Sequence, residues 1–199
     1  MNSAVNGRPS VFLDRDGVVN ELVWNQRAAA YESPYDADQV ALAPGAADAV
    51  AALRGVGLVL VAASNQPAAA KGYVGLEQLR AVHDRLVSLL RAAGAELDDY
   101  RYCFHHPEGV DAQLGVACAC RKPRPGMLLD AARAIGLDLG RSWMVGDSDI
   151  DVEAGQAAGC RTVLIENPRS AHRRRGEVTP DARAPDLVTA ARVIAGAAE

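Results

Sequence analysis

The sequence predicts an α/β fold, a doubly wound parallel sheet with helices on both faces. Three observations carry this expectation. Short apolar runs of strand length alternate with longer runs of helical period. The strand runs are apolar at almost every position, as strands covered on both faces must be. Acids, hydroxyls and amides recur where those runs end, at the carboxyl ends where such sheets bind ligands.

Ser10–Asp14 (SVFLD) reads as the first strand. A helix follows over 44–57, with Pro44 near its start and Gly55 and Gly57 at its end. Leu58–Asn65 (LVLVAASN) is a second buried strand. Leu76, Leu79, Val82, Leu86, Leu89, Leu90 and Ala93 keep helical spacing up to Gly94. Tyr100–Phe104 is a short strand and Pro125–Gly136 a helix. Ser142–Asp147 is a strand, Asp151–Gly159 a helix, Arg161–Glu166 a strand, and 186–197 the last helix. The alternating order implies a parallel sheet.

Two long segments break the rhythm. Segment 20–43 follows the first strand and suits a lid or flap, and 103–123 holds three of the four cysteines. Segment 167–185 carries His172, Arg173, Arg174 and Arg175 among Pro, Ser, Gly and Asp. It reads as a solvated loop, with phosphate or partner binding as the alternative. There is no internal repeat.

With 199 residues the chain fits a single domain spanning 1–199, enough to bury a real core. A net charge of -4 argues against a general nucleic-acid or anionic-membrane binder. No apolar run approaches the roughly 18 residues that span a bilayer, and the N-terminus, MNSAVNGRPS, lacks a signal peptide's apolar core. A cytoplasmic monomer acting on a small molecule is expected.

The chemistry lies at the strand ends. Asp14 and Asp16 close the first strand, Ser64, Asn65 and Gln66 the second, and Asp147 with Asp149 and Asp151 the fourth. Parallel neighbours would gather these groups into one cleft. Crowded carboxylates repel unless a divalent cation sits among them, and oxygen ligands suit Mg²⁺. Phosphoryl transfer fits: a carboxylate attacks phosphorus, a cation neutralises the phosphoryl oxygens, and a second carboxyl moves the proton. Lys122 is the available lysine. Singly, each residue has a bland explanation, since an Asp at a strand end is usually a cap or turn residue; Asp149 is such a cap. Their joint occurrence in this order carries the argument.

The cysteines add a second signal. Cys103 and His105, then Cys118 and Cys120, form C-x-H…C-x-C with twelve residues between His105 and Cys118. Cys₃His is an ordinary closed zinc shell, and four protein ligands leave no position for water, so the expected role of Zn²⁺ is structural. His106 is an alternative ligand. Cys160 lies apart and reads as a buried thiol.

The elements DRDG at 14–17, SN at 64–65, KP at 122–123 and GDSDID at 146–151 together resemble the haloacid dehalogenase superfamily of phosphohydrolases. The resemblance spans about 10–166. It implies a Rossmann-like sheet without a large cap domain. It also implies Asp14 as nucleophile and Asp16 as acid/base, which lends Mg²⁺ its backbone carbonyl. Ser64 and Lys122 would hold the phosphoryl group, and Asp147 would complete the Mg²⁺ shell. The cysteine loop running into CRKPRPGM resembles the subgroup of heptose bisphosphate and histidinol-phosphate phosphatases. Its length favours a heptose 1,7-bisphosphate cleaved at the 7-phosphate. Histidinol phosphate or another small phosphorylated metabolite is the alternative. Arg121, Asn65 and Gln66 are implied to contact substrate, and Trp24 and Asn25 follow more weakly. Where the subgroup reads TNQSGIARG this chain has SNQPAAAKG, and GDS replaces GDK.

Overall fold

The computed structural model describes residues 7–197. Most of the N-terminal segment read as lacking a signal peptide, and both ends of the 1–199 domain, lie outside those residues. The chain begins with β1 (Ser10–Leu13), then an antiparallel hairpin of β2 (Val23–Asn25) and β3 (Ala30–Glu32). It continues through α1 (Ala46–Gly55), β4 (Val59–Asn65), α2 (Leu76–Ala92), β5 (Asp99–Cys103) and α3 (Gly126–Ile135). It closes with β6 (Trp143–Gly146), α4 (Asp149–Ala158), β7 (Arg161–Ile165), β8 (Ala182–Ala184) and α5 (Leu187–Gly196). No described helix is long and apolar enough to cross a membrane.

Six strands form one sheet in the order β5-β4-β1-β6-β7-β8, every pair parallel. From β1 the chain builds outward through β4 and β5. It then returns to place β6 on the other side of β1. That reversal opens a crevice at the carboxyl ends of β1, β4 and β6.

Alternation of side chains divides the core between the two faces. Val11 and Leu13 of β1 join Val50 and Leu53 of α1, Leu86 and Leu90 of α2, and Ile194 of α5. Phe12 points the other way, toward Met127 and Leu128 of α3. Leu53 and Leu86 are fully buried, and each such side chain contributes about 1.5–3 kcal/mol of transfer free energy.

The structure differs from the sequence reading in three places. Helix α4 begins at Asp149, so Asp149 is its first helical residue rather than its cap. Ser148 is the cap and forms a capping box with Asp151. Segment 167–185 is not a plain solvated loop: it contains a 3₁₀ turn at Pro168–Arg173 and the edge strand β8. Its short apolar run, with alanines at 182 and 184, is too brief to register as a strand by pattern alone. Segment 20–43 is folded at its base, where Leu22 and Val40 enter the core, and the β2–β3 hairpin projects.

Two glycines are demanded by close approach. Gly17 adopts φ +89°, and a Cβ there would run into the Asp147 carboxylate. Gly155 lets α4 settle onto β6 and β7, since a Cβ would lie 2.6 Å from Met144 Cβ and 2.7 Å from the Thr162 methyl. Gly155→Ala is therefore expected to destabilise the fold by about 1–3 kcal/mol, the usual cost of overpacking. Chemical denaturation would measure it; a stability equal to wild type would mean that α4 is not held at this distance.

Candidate active site

Asp14 lies one residue past β1, its amide donating to the Val145 carbonyl of β6 at 2.8 Å. This bond fixes the end of β1 against the end of β6. Asp147 therefore sits beside Asp14, just past β6, and the first turn of α4 brings in Asp151. Asp14, Asp147 and Asp151 each offer a carboxylate oxygen within 4.8 Å of the others.

Lys122 enters this group from the opposite side. Its ammonium lies 3.0 Å from Asp14 Oδ1 and 2.5 Å from Asp151 Oδ1, and donates to the Ala63 carbonyl at 2.7 Å. The ammonium is thereby held between two carboxylates and a carbonyl. Asn65, at the end of β4, holds the lysine's backbone with two bonds. Its Oδ1 accepts from the Lys122 amide and its Nδ2 donates to the Lys122 carbonyl, both at 3.0 Å.

The charges do not balance. Asp147 is fully buried, and among the described residues neither of its carboxylate oxygens has a hydrogen-bond partner. Burial, then the neighbouring Asp14 and Asp151, pushes its carboxyl up to about 8. Burial also raises Asp14, although Lys122 opposes the shift. An orphaned buried carboxylate beside two others is a donor set of hard oxygens, which suits a divalent cation such as Mg²⁺.

Asp16 has a different environment. Arg15 pairs with it through Nε and Nη2, both at 3.0 Å, Asn20 donates at 3.0 Å, and Gln66 Nε2 donates at 2.6 Å. Burial works against ionisation, yet Arg15 and these donors together hold Asp16 below the usual carboxylate range. Gln66 also accepts from Arg15 at 2.7 Å and donates to the Ser64 hydroxyl at 3.1 Å. Its amide is spent inside the protein, and Asn65 is spent on Lys122. Both read from sequence as substrate contacts; here they brace Asp16 and Lys122, while Asn65 also lines the cleft and Gln66 the neighbouring cavity.

A cleft of about 300 Å³ opens over Asp14, Asp16, Ser64 and Lys122, with Arg121 and Arg173 in its walls. A neighbouring cavity of about 400 Å³ lies under the β2–β3 hairpin and shares Glu32, Ser33, Pro67 and Lys71 with the cleft. Asn25 lines that cavity, whereas Trp24 is exposed and lines neither.

The cysteine cluster assembles as its spacing predicts. Cys103, His105, Cys118 and Cys120 bring one ligand atom each within 4.8 Å of the others. The three sulfurs lie 3.2–3.5 Å apart and His105 Nδ1 is 3.5 Å from Cys120 Sγ. A tetrahedral zinc site with bonds of about 2.3 Å spaces its sulfurs at roughly 3.8 Å, so the donors fit with a small expansion. The cysteines form no disulfide. His106 stays outside, accepting from the Glu108 amide, and Cys160 is a buried thiol as expected.

Sequence reasoning placed Asp14, Asp16, Ser64, Lys122 and Asp147 around one cleft, and the structure brings them together. It counted Asp151 among the acids at the end of the fourth strand but gave it no role; the first turn of α4 carries that carboxylate back to Asp14 and Asp147. It read Arg173 as part of a solvated loop, with phosphate or partner binding only as the alternative. That side chain turns inward to pair with Glu32 at 3.0 Å. Arg174 is likewise engaged, with bonds to the Asp147 and Asn167 carbonyls at 3.0 and 2.9 Å.

Residues 119–190 match the family model described as "HAD-hyrolase-like". A D-glycero-beta-D-manno-heptose-1,7-bisphosphate 7-phosphatase of Rhodopseudomonas palustris is 38% identical over 161 residues, 80% of this chain and 84% of that protein. A D-glycero-D-manno-heptose-1,7-bisphosphate 7-phosphatase of Thermosynechococcus vestitus is 40% identical over 163 residues, 80% of this chain and 79% of that one. The crystal structure of D,D-heptose 1,7-bisphosphate phosphatase from B. bronchiseptica, complexed with magnesium and phosphate, superposes with a TM-score of 0.76 at 31% identity. It covers 95% of this chain and 99% of its own.

The raised Asp147 carboxyl has a measurable consequence. A carboxyl at about 8 in the folded protein and near 3.8 unfolded binds more protons folded than unfolded between those values. Its contribution to stability is therefore fully present below about pH 4 and is lost as pH rises toward 8. In metal-free protein, Asp147→Asn should flatten this decline in thermal melts across pH 5–8. Mg²⁺ should raise the wild-type midpoint more at pH 8 than at pH 6, because it binds the ionised site. A Mg²⁺ effect independent of pH would refute the assignment.

Proposed function

We propose that this chain, which belongs to the heptose-1,7-bisphosphate 7-phosphatase family of HAD-like hydrolases, is a phosphoric monoester hydrolase of a sugar bisphosphate. The substrate most strongly favoured is D-glycero-D-manno-heptose 1,7-bisphosphate, cleaved at the 7-phosphate. The observation that carries this reading is the nucleophile geometry: Asp14 open to the cleft, 3.0 Å from a buried lysine, with Asp147 and Asp151 beside it.

In this reading Asp14 attacks phosphorus, the bond to the sugar oxygen breaks, and an aspartyl phosphate forms on Asp14. Asp16 gives a proton to the leaving oxygen. It then removes one from the water whose attack on phosphorus frees Asp14. Paired with Arg15, Asp16 is held as a base; acting as an acid requires its carboxyl to turn away from the guanidinium. Ser64 and Lys122 orient the phosphoryl oxygens, and Asn65 and Gln66 hold Lys122 and Asp16 in register. Arg121, whose Nη1 donates to the His105 carbonyl at 3.3 Å, faces the cleft and suits the phosphate that is retained. Mg²⁺, held by Asp14, Asp147, Asp151 and the Asp16 carbonyl, would supply charge neutralisation at the phosphoryl group.

Zn²⁺ on Cys103, His105, Cys118 and Cys120 would serve structure. The loop from 103 to 123 is long and polar, and Lys122 follows its last cysteine by two residues. Closing the loop on a metal fixes the segment that delivers the lysine.

Asp14→Asn should lower kcat by at least about 10³-fold, since an amide is a poor nucleophile. Phosphate release from the heptose bisphosphate measures this, with circular dichroism to establish that the variant folds. Substantial activity in Asp14→Asn would remove Asp14 from the mechanism. Faster turnover of histidinol phosphate than of the heptose bisphosphate would move the substrate assignment to the alternative.

Cys118→Ser should lose zinc and lower the melting midpoint, because metal affinity in such sites is folding free energy. Elemental analysis should find about one zinc per wild-type chain. Wild-type protein that is fully stable without zinc would overturn the structural role.

A further inference from the structure

Two guanidiniums in the cleft wall keep most of their bonding capacity, Arg121 with one bond to the His105 carbonyl and Arg173 on the Asp147 side. A guanidinium carries five N–H donors. Glu32 of the hairpin takes one from Arg173, through Nη2 at 3.0 Å. Among the described residues no other acceptor bonds the Arg173 side chain. Lys122, by contrast, is already paired with two carboxylates, Asp14 and Asp151, and donates to the Ala63 carbonyl. The Arg173 side chain is only 21% exposed, and it lines the same cleft as Asp14 and Lys122. Burial lowers its pKa, but the charges of Asp147, Glu32, Asp14 and Asp16 outweigh that and raise it.

This arginine is also held in place. The 3₁₀ turn that carries it is capped by Asn167, which donates to the Gly17 carbonyl at 3.1 Å beside the first strand's acids. Ser170 donates to the Asp147 carbonyl at 3.3 Å. The next residue, Arg174, spends its guanidinium on the Asp147, Ile165 and Asn167 carbonyls and the Ser170 hydroxyl. Arg174 thus fixes the backbone, and Arg173 is free to face the cleft. A rigidly mounted guanidinium with four of its five donors unspent, over a cleft that ends in a nucleophilic carboxylate, is a donor set for a tetrahedral oxyanion.

We infer that Arg173 binds the transferred phosphoryl group, and the inorganic phosphate it becomes, with Glu32 as the competing anion that holds the guanidinium when the cleft is empty. This rests on the phosphatase reading above and deepens it. It gives the chain a phosphate contact from the segment after β7, on the Asp147 side of the cleft. It also ties occupancy to the hairpin, because a phosphate that draws Arg173 away releases Glu32.

Titration of the full-length protein with inorganic phosphate in the presence of Mg²⁺ tests this, followed by calorimetry. Arg173→Gln should weaken phosphate binding about 10–100-fold, the range for losing a charge-assisted hydrogen bond. Arg173→Lys should give an intermediate loss, since it keeps the charge but not the planar fork. Glu32→Gln should move the other way and bind phosphate at least as tightly as wild type, because it removes the competitor while leaving the guanidinium. Both changes delete the same ion pair, so a merely structural role predicts that they weaken phosphate alike, and that result would overturn the inference. So would Arg173→Gln binding phosphate like wild type, or a wild type that binds none. Should Arg173→Gln fail to fold, opposite shifts in Arg173→Lys and Glu32→Gln would still uphold the inference, and parallel losses would reject it. Failure of the wild type to hydrolyse any sugar bisphosphate would instead strike the functional reading, since phosphate binding is measured without substrate.

Discussion

The structure depends on one buried ion cluster. Lys122 lies between Asp14 and Asp151, with Asp147 beside them, at almost no solvent exposure. Ions taken out of water lose several kcal/mol of hydration each, and recover it only when partners stand at the right distance. That requirement explains the surrounding architecture. The cluster sits where β1, β4 and β6 end together, because there the acids that follow β1 and β6 meet the lysine of the 103–123 loop. Gly17 is needed so that the backbone after β1 can pass the Asp147 carboxylate. The surplus of carboxylates over lysine is also what prepares the site for a divalent cation and for a phosphoryl dianion neutralised by other cations.

Asp14 and Asp16 are two residues apart yet carry opposite electrostatic settings. Asp14 is raised by burial, with Lys122 opposing. Asp16 is lowered, because Arg15, Asn20 and Gln66 outweigh its burial. These settings run opposite to the proposed roles, since a nucleophile works ionised and a general acid works protonated: Lys122 and a bound Mg²⁺ would hold Asp14 ionised, and Asp16 would carry a proton only once turned away from Arg15. The contrast rests on Arg15, a fully buried guanidinium that also stands 5.5 Å over the Tyr102 ring. A side chain named only as the x of DxD thus sets the protonation of its neighbour.

The hairpin is placed by contacts with the segment after β7. Arg169 pairs with Glu21 and stacks over Tyr31, while Arg173 pairs with Glu32. Such partly exposed pairs contribute only about 0–1 kcal/mol each, too little to hold the fold. They can set where the hairpin rests over the cleft without making that position rigid, which suits an element that bounds a binding cavity.

What the sequence determined by itself was whatever depends on local pattern. Apolar runs and their periods gave the five main strands and five helices, because burial on one or both faces writes itself into neighbouring positions. The acids after β1 and β6 were legible because strand ends in a parallel sheet converge, and the Cys-x-His and Cys-x-Cys pairs because alternate residues can share one ion. What only the tertiary structure decided was how polar side chains pair across the chain. Gln66 and Asn65 looked like groups offered to substrate, but one is consumed by Asp16 and the other by Lys122, 57 residues away. Arg173 and Arg174 looked like a solvated run, yet one faces Glu32, 141 residues away, and the other a carbonyl at Asp147. Hydrogen bonds and ion pairs act over about 3 Å, and the chain distances they bridge leave no periodic trace, so their partners are known only once the fold has brought them together.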